Sequence, residues 1–128
     1  NVTPNVALAD GFDFLADKIN VYDTISANDV LEHIQKEKVT TFLEMTYRSL
    51  KPGGNLLLKI PNMSNPFAHD ARYRHFTHEC GFTEKSIYQV LYMAGFRNIS
   101  IRAPRTQIRS FRDAFSKIIV LLFHIFFL

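Results

Sequence analysis

The sequence has few cysteines and no recognisable export signal. Cys80 is the one cysteine among 128 residues. This excludes an intramolecular disulfide and a cysteine-based zinc cluster, and it fits a reducing compartment. No basic segment followed by an apolar core and a small-residue cleavage site stands at the beginning of the chain. We therefore expect a cytoplasmic location.

The body of the chain also lacks an excess of positive charge. The net charge of +3 comes from 15 Lys and Arg against 12 Asp and Glu. Residues 99–128 hold four arginines and one lysine against one aspartate, which is +4, so residues 1–98 sum to −1. A nucleic-acid-binding domain usually carries basic residues across a whole face or helix. We therefore expect no nucleic acid partner.

The C-terminal segment 105–128 is first basic and then apolar. Its last eleven residues, 118–128, contain only His124 as a polar residue, and a bilayer span needs about 20 residues. The segment fits an anchor at a membrane surface with anionic lipid, a helix docked on the sheet or on a second subunit, or a span that continues past Leu128. We predict a domain over 1–104 and a C-terminal helix over 105–128.

The rest of the chain alternates between strand and helix patterns, which predicts an α/β fold with a parallel sheet. Lys51-Pro52-Gly53-Gly54 predicts a turn with a positive φ at Gly53. The apolar run 55–60 is typical of a strand covered on both faces. The predicted strands are 6–9, 21–27, 55–60 and 98–103, and the predicted helices are 35–50 and 83–94.

Acidic residues and a histidine follow the second predicted strand. If a helix starts near Asp29, then Asp29, Glu32 and His33 lie at i, i+3 and i+4 on one face. Two carboxylates and an imidazole can bind a divalent cation or orient a histidine that removes a proton. The alternative is an ordinary helix start with an aspartate at its positive end.

The segment 63–81 has no clean periodicity and is long enough to be a functional loop. Within it, His75 and His78 lie at i and i+3. They could supply a base or a metal ligand near His33, or they could simply be solvated. Cys80 has no Cys-x-x-Cys partner, which indicates a packed thiol.

Three motifs together resemble a known family. They are YDTISANDVLEHI, RSLKPGGNLLLKIPN and HFTHECGFTEKSIYQVLYMAGFRNISI. In this order and spacing the chain resembles the class I S-adenosylmethionine-dependent methyltransferases with a Rossmann-like fold. The resemblance spans roughly 6–103 and corresponds to the back two thirds of the family's domain, and no G-x-G pattern occurs. It implies an N-terminally truncated three-layer sandwich with S-adenosylmethionine as cofactor.

The resemblance also implies roles for residues after the third and fourth strands of the family. Asp10 and Gly11 correspond to the adenine contact, and Phe12 would lie against the adenine ring. Asn28 and Asp29 correspond to the segment that closes over the methionine moiety and the substrate.

The Glu-His pair of many family members is matched by Glu32 and His33. In metal-using relatives, a pair of acids, the adjacent histidine and a later loop histidine bind magnesium. The resemblance implies that Asp29, Glu32 and His33, with His75 or His78, could do the same here.

These observations predict methyl transfer to a hydroxyl of a sugar, polysaccharide or quinone-type acceptor. Glu32, His33 and His78 are the predicted catalytic residues, because a hydroxyl acceptor needs a base and an imidazole can take a proton near neutral pH. The alternatives are a soluble small-molecule methyltransferase whose tail packs on the domain, an inactive methyltransferase-like interaction module, and another nucleotide-binding Rossmann domain.

Overall fold

The structure is a computed structural model that describes residues 6–64 and 75–102. Its elements are helix α1 (Gly11–Leu15), strand β1 (Tyr22–Asn28), helix α2 (Val39–Ser49), strand β2 (Leu50–Lys59) and helix α3 (Glu84–Met93). Two 3-10 helices, Leu31–His33 and Lys36–Lys38, precede α2. The α/β prediction is therefore confirmed.

The two strands form a parallel pair joined through α2. Their register is continuous from Thr24 opposite Asn55 to Asn28 opposite Lys59. It is interrupted between Tyr22, which lies opposite Leu50, and Thr24. The four residues 51–54 loop out at this interruption. The expected turn is therefore found within β2, with Gly53 at φ 79° as predicted. Because the strands run in parallel, their carboxyl ends lie side by side.

Helix α2 is the centre of the core. Its buried face carries Val39, Phe42 and Leu43, and Leu43 is fully inaccessible to solvent. This helix contacts α1, α3 and β2. On β2, Leu56 and Leu58 pack against the same core, whereas Leu57 points away and is 58% exposed. The described residues thus cover one face of the sheet and supply two layers of the expected three-layer sandwich.

Two predicted strands are not found. Residues 6–9 and 98–102 are described, and neither segment forms a strand with the rest of the described chain. A strand needs a hydrogen-bonding neighbour, which its own sequence pattern cannot supply. Residues 6–9 are exposed, and the second segment starts with Asn98 at φ 54°, which turns the chain.

No α-helix opens near Asp29 in the described part of the chain, so that expectation is wrong, and the predicted helix 35–50 is shorter in the structure. Asp29 has φ 53°, a left-handed conformation that cannot continue into a helix. A 3-10 turn over Leu31–His33 follows instead. Residues Lys36–Lys38 form a second 3-10 turn before α2 begins at Val39.

Both predicted ends of α3 are confirmed. Thr83 and Ser86 exchange hydrogen bonds as a capping box at the first turn. Beyond the last turn, Gly95 has φ 106°, and the Phe96 amide donates to the carbonyl of Leu91. This is the Schellman arrangement, which satisfies the last carbonyls of a helix.

Replacing Gly95 by alanine should destabilise the protein more than the same change at Gly53. Both glycines have positive φ, so alanine costs about 1–2 kcal/mol of backbone strain at either position. A Cβ at Gly95 would also lie 3.1 Å from the Tyr47 ring, whereas one at Gly53 would meet nothing within 4 Å. The Tyr47 ring, which packs edge to face on Phe96, would have to shift by a few tenths of an ångström, and this adds to the loss at Gly95. Urea unfolding of the two variants measures this difference, and equal losses would contradict it.

Within the described residues, no helix is long and apolar enough to cross a membrane. The predicted C-terminal helix 105–128 lies outside these residues.

Candidate functional site

The turn after β1 places Glu32 inside the protein. Leu31 is fully inaccessible to solvent and belongs to the core. Leu31 begins a short 3-10 helix, and the next residue in that helix, Glu32, is also buried and only 2% exposed. His33 follows on the surface. A buried carboxylate and an accessible imidazole thus lie just beyond the carboxyl end of β1, where open α/β sheets bind their ligands.

The segment 75–80 packs directly on this turn. The amides of Glu79 and Cys80 both donate to the carbonyl of Glu32, at 2.8 and 3.1 Å. The Cys80 thiol donates to the carbonyl of Ile34 at 3.4 Å, which agrees with the predicted packed thiol. The part of the long loop that is described therefore lies beside His33. Residues 65–74 lie outside the described part.

Glu32, His33 and His78 come together in one cluster, called the Glu-His-His cluster below. One potential ligand atom from each side chain lies within 4.8 Å of the others. The rings of His33 and His78 meet edge to face, with centroids 4.7 Å apart. The ring of His75 lies outside the cluster but contacts His78, with centroids 5.3 Å apart. All three predicted catalytic residues are therefore neighbours.

The carboxylate of Glu32 has an unusual environment. Its Oε2 atom is buried and has no hydrogen-bond partner among the described residues. A buried polar atom without a partner costs free energy, and a buried charge costs more. The described residues therefore leave this oxygen available to accept a hydrogen bond or to bind a cation.

Asp29 does not join this cluster, and the predicted shared face with Glu32 and His33 is wrong. Because its left-handed backbone turns it away from any helix, its carboxylate lies beside β2. There it accepts a hydrogen bond from Lys59 Nζ at 2.8 Å. This bond, together with the charges of Asp29 and then Glu32, raises the pKa of Lys59 above its usual value. The resulting contribution to stability is present below pH 10.5 and is lost as the pH rises through the higher, folded-state pKa.

The predicted cofactor residues lie at two places. Asn28 ends β1 opposite Lys59, next to Asp29. Asp10 is the N-cap of α1, where its Oδ1 accepts from the amides of Phe12 and Asp13 at 2.8 and 3.4 Å. No hydrogen bond from the described residues ends on the other oxygen, Oδ2.

A groove of about 520 Å³ opens beside Asp10 and is lined by Val6, Ala7, Ala9, Gly11 and Phe14. Phe12 does not line it. Its ring instead meets that of Phe42 in the core, with centroids 5.3 Å apart. Gly11 and Phe14 are three residues apart and therefore share a face of α1. Phe14 is a candidate ring contact that the sequence interpretation missed because it did not predict α1. A capping residue, Asp10, with the acidic Asp13 in the first turn was the available signal for a helix start.

Thr77 and Lys59 were also missed. The Thr77 carbonyl and hydroxyl oxygens lie 3.1 and 3.0 Å from Nδ1 of His33. No local pattern marks either residue, because their partners lie 44 and 30 positions away.

Comparison with known proteins agrees with this architecture. No curated protein matches the chain significantly. The structure is similar to the crystal structure of a SAM-dependent methyltransferase from Archaeoglobus fulgidus, with a TM-score of 0.70 and 16% sequence identity. The match covers 92% of this chain and 60% of that one, so the chain spans less than two thirds of that protein's length. This likeness confirms the Rossmann-like methyltransferase fold.

A family model described as a methyltransferase domain matches residues 3–101. The matched range includes β1, α2, β2 and α3 as well as the Glu-His-His cluster. The chain therefore belongs to the methyltransferase domain family, and the cofactor of this class of enzyme is S-adenosylmethionine.

Proposed function

We propose that the whole protein is an enzyme that methylates a hydroxyl group, with S-adenosylmethionine as the methyl donor. The observation that carries this proposal is the Glu-His-His cluster beyond the carboxyl end of β1, within a methyltransferase domain. Bound S-adenosylmethionine supplies a methyl group already activated on a sulfonium, so alignment of the acceptor contributes most of the catalysis.

A hydroxyl acceptor must lose its proton as its oxygen bonds to the methyl carbon and the sulfur–carbon bond breaks. His33 or His78 accepts that proton, since a neutral imidazole is a base near neutral pH. The carboxylate of Glu32 lies close to both rings and stabilises the positive charge that forms on the imidazole. Segment 75–80 keeps His78 in place through its hydrogen bonds to the Glu32 carbonyl.

The residues near α1 and the end of β1 fit the cofactor. The groove beside Gly11 offers apolar walls and the exposed ring of Phe14, which suit a flat heteroaromatic group. Asp10 can cap α1 with Oδ1 and accept an adenine amine with Oδ2. Asn28 and Asp29 are exposed at the end of β1, where they would face the methionine part.

A divalent cation held by the Glu-His-His cluster is a second candidate for the activating group. The buried, unpartnered Oε2 of Glu32 favours it, because one carboxylate and two imidazoles are a common ligand set for first-row transition ions. When bound, the cation would supply Lewis acidity at the acceptor oxygen. Asp29 and His75, which the resemblance also implied as ligands, lie outside the cluster.

The acceptor class remains a sugar, polysaccharide or quinone-type hydroxyl in this proposal. Its support is the base provided by the cluster, together with the basic and apolar sequence of 105–128, which would hold a cytoplasmic protein at the inner face of a membrane. An acceptor screen should therefore compare soluble hydroxyl compounds with lipid-linked ones presented in anionic vesicles. Transfer only to soluble acceptors would favour a tail that packs on the domain.

Binding of S-adenosylmethionine should weaken when Asp10 is replaced by serine. Serine retains the helix cap but is too short to reach the adenine amine, so we expect a loss of about tenfold or more, as for a hydrogen bond to a charged group. Calorimetry with S-adenosylmethionine and S-adenosylhomocysteine, on the protein from its complete reading frame, measures this loss.

Asp10→Ala is the matched comparison, because it also removes the cap at a cost of about 0.5–2 kcal/mol of stability. Similar affinities for the serine variant and the wild type would contradict the adenine contact. Absence of binding by the wild-type protein would overturn the enzyme proposal and favour an inactive interaction module.

A further inference from the structure

We propose that Thr77 is a positioning residue that holds neutral His33 in the tautomer with its proton on Nδ1. The Nδ1 atom lies 3.1 Å from the Thr77 carbonyl oxygen and 3.0 Å from the Thr77 hydroxyl oxygen. A carbonyl oxygen can only accept. If Nδ1 carried a lone pair, that lone pair would face the Thr77 carbonyl oxygen, and neither atom could donate. An Nδ1–H can instead donate to both oxygens of Thr77.

This tautomer determines which nitrogen of His33 can react. In a neutral imidazole one nitrogen is a donor and the other an acceptor, so an Nδ1–H leaves the lone pair on Nε2. Nε2 is then the atom that takes the proton from the substrate hydroxyl or binds a cation. Histidines that bind metals or act as bases are commonly oriented by such a hydrogen bond from the opposite nitrogen. The inference rests on the proposed function of the Glu-His-His cluster.

The position of Thr77 does not depend on His33 alone. On its C-terminal side, the amides of Glu79 and Cys80 are bonded to the Glu32 carbonyl, one residue from His33. The ring of His78, the residue after Thr77, also packs edge to face on that of His33. The main chain that carries Thr77 is thus attached to the same turn that carries the imidazole, and this attachment brings the two oxygens to Nδ1.

Nitrogen NMR of the histidine-labelled chain tests the tautomer directly. Long-range proton–nitrogen correlations, recorded at alkaline pH where histidines are neutral, identify which ring nitrogen carries the proton, and His33→Gln assigns the signals. We expect Nδ1–H in the wild type. Nε2–H as the main form would overturn the inference. This measurement needs neither cofactor nor acceptor, so its outcome is independent of whether the proposed methyl transfer is correct.

The variants Thr77→Val and Thr77→Ser test the side chain. Valine keeps the shape of the side chain but removes the hydroxyl, so we expect a lower fraction of the Nδ1–H form. We also expect kcat to fall roughly tenfold with little change in KM, which is the size of effect seen for groups that orient a ligand. Serine should restore both values. If valine changes neither the tautomer nor kcat, or if serine fails to restore them, the positioning role of the Thr77 side chain is wrong.

Discussion

Replacing Glu32 by glutamine is expected to lower kcat by about 100-fold or more while leaving the unfolding temperature unchanged or raised. The carboxylate contributes a negative charge next to His33 and His78, and removal of one such electrostatic group typically costs 10²–10³-fold. Its burial with an unpartnered Oε2 is unfavourable for the folded state, so loss of the charge relieves a penalty. Steady-state kinetics and thermal unfolding of the same samples measure the two effects.

Glu37→Gln is the matched control, because Glu37 is exposed on the second 3-10 turn and its replacement should change neither kcat nor the unfolding temperature.

Titration with Mn²⁺ or Zn²⁺, and activity measurements after chelation, separate the two candidate roles of the Glu-His-His cluster, cation binding and proton removal by a histidine. If a cation is bound, the wild type loses activity on chelation and the glutamine variant binds the ion weakly. If a histidine acts alone as base, chelation has no effect. Wild-type kcat in the glutamine variant would exclude a contribution of Glu32 to either role.

Leu43→Ala is expected to lower the free energy of unfolding by about 2–5 kcal/mol. Leu43 is fully inaccessible to solvent on the face of α2, the helix that contacts α1, α3 and β2. Because α1, α3 and β2 all pack on α2, closing the cavity left by the lost methyl groups would require several elements to move together. A loss of this size is a large part of the total stability of an ordinary domain, which is about 5–15 kcal/mol.

Leu57→Ala gives the comparison within the same fold. This residue has the same side chain but is 58% exposed on the outer face of β2, so the expected change is below about 1 kcal/mol. Chemical denaturation of both variants, with the wild type as reference, gives the two values. Equal losses would mean that the outer face of β2 is covered as completely as the core.

Local sequence patterns predicted the elements whose causes are local. The capping residue Thr83 and the helix-ending Gly95 delimit α3 as expected, and Gly53 has the positive φ that its turn requires. The strands 6–9 and 98–103 were predicted by the same kind of pattern and are not formed within the described residues. The difference is that a cap is completed within four residues, whereas a strand depends on a partner elsewhere in the chain.

The candidate site shows the same division. Glu32 and His33 were predicted from residue type, position after a strand and resemblance to the family, and His78 from its place in the long loop. Asp29 was assigned to the same face because a continuous helix was assumed, and its left-handed φ of 53° places it with Lys59 instead. The resemblance implied that Phe12 would lie against the adenine ring. In the structure the ring of Phe12 meets that of Phe42, and Phe14 rather than Phe12 lines the groove.

The sequence by itself determined the α/β class, the methyltransferase family and the chemical groups available for catalysis, because periodicity, turn residues and motif order are all read along the chain. Only the tertiary structure decided that Glu32 is buried with an unpartnered oxygen, that His78 meets His33, and that Thr77 lies at Nδ1 of that ring. Each of these relations joins residues more than 40 positions apart or depends on the packing of Leu31 in the core. Burial and long-range contact arise when the elements pack together, and a one-dimensional pattern contains the residues but not the distances between them.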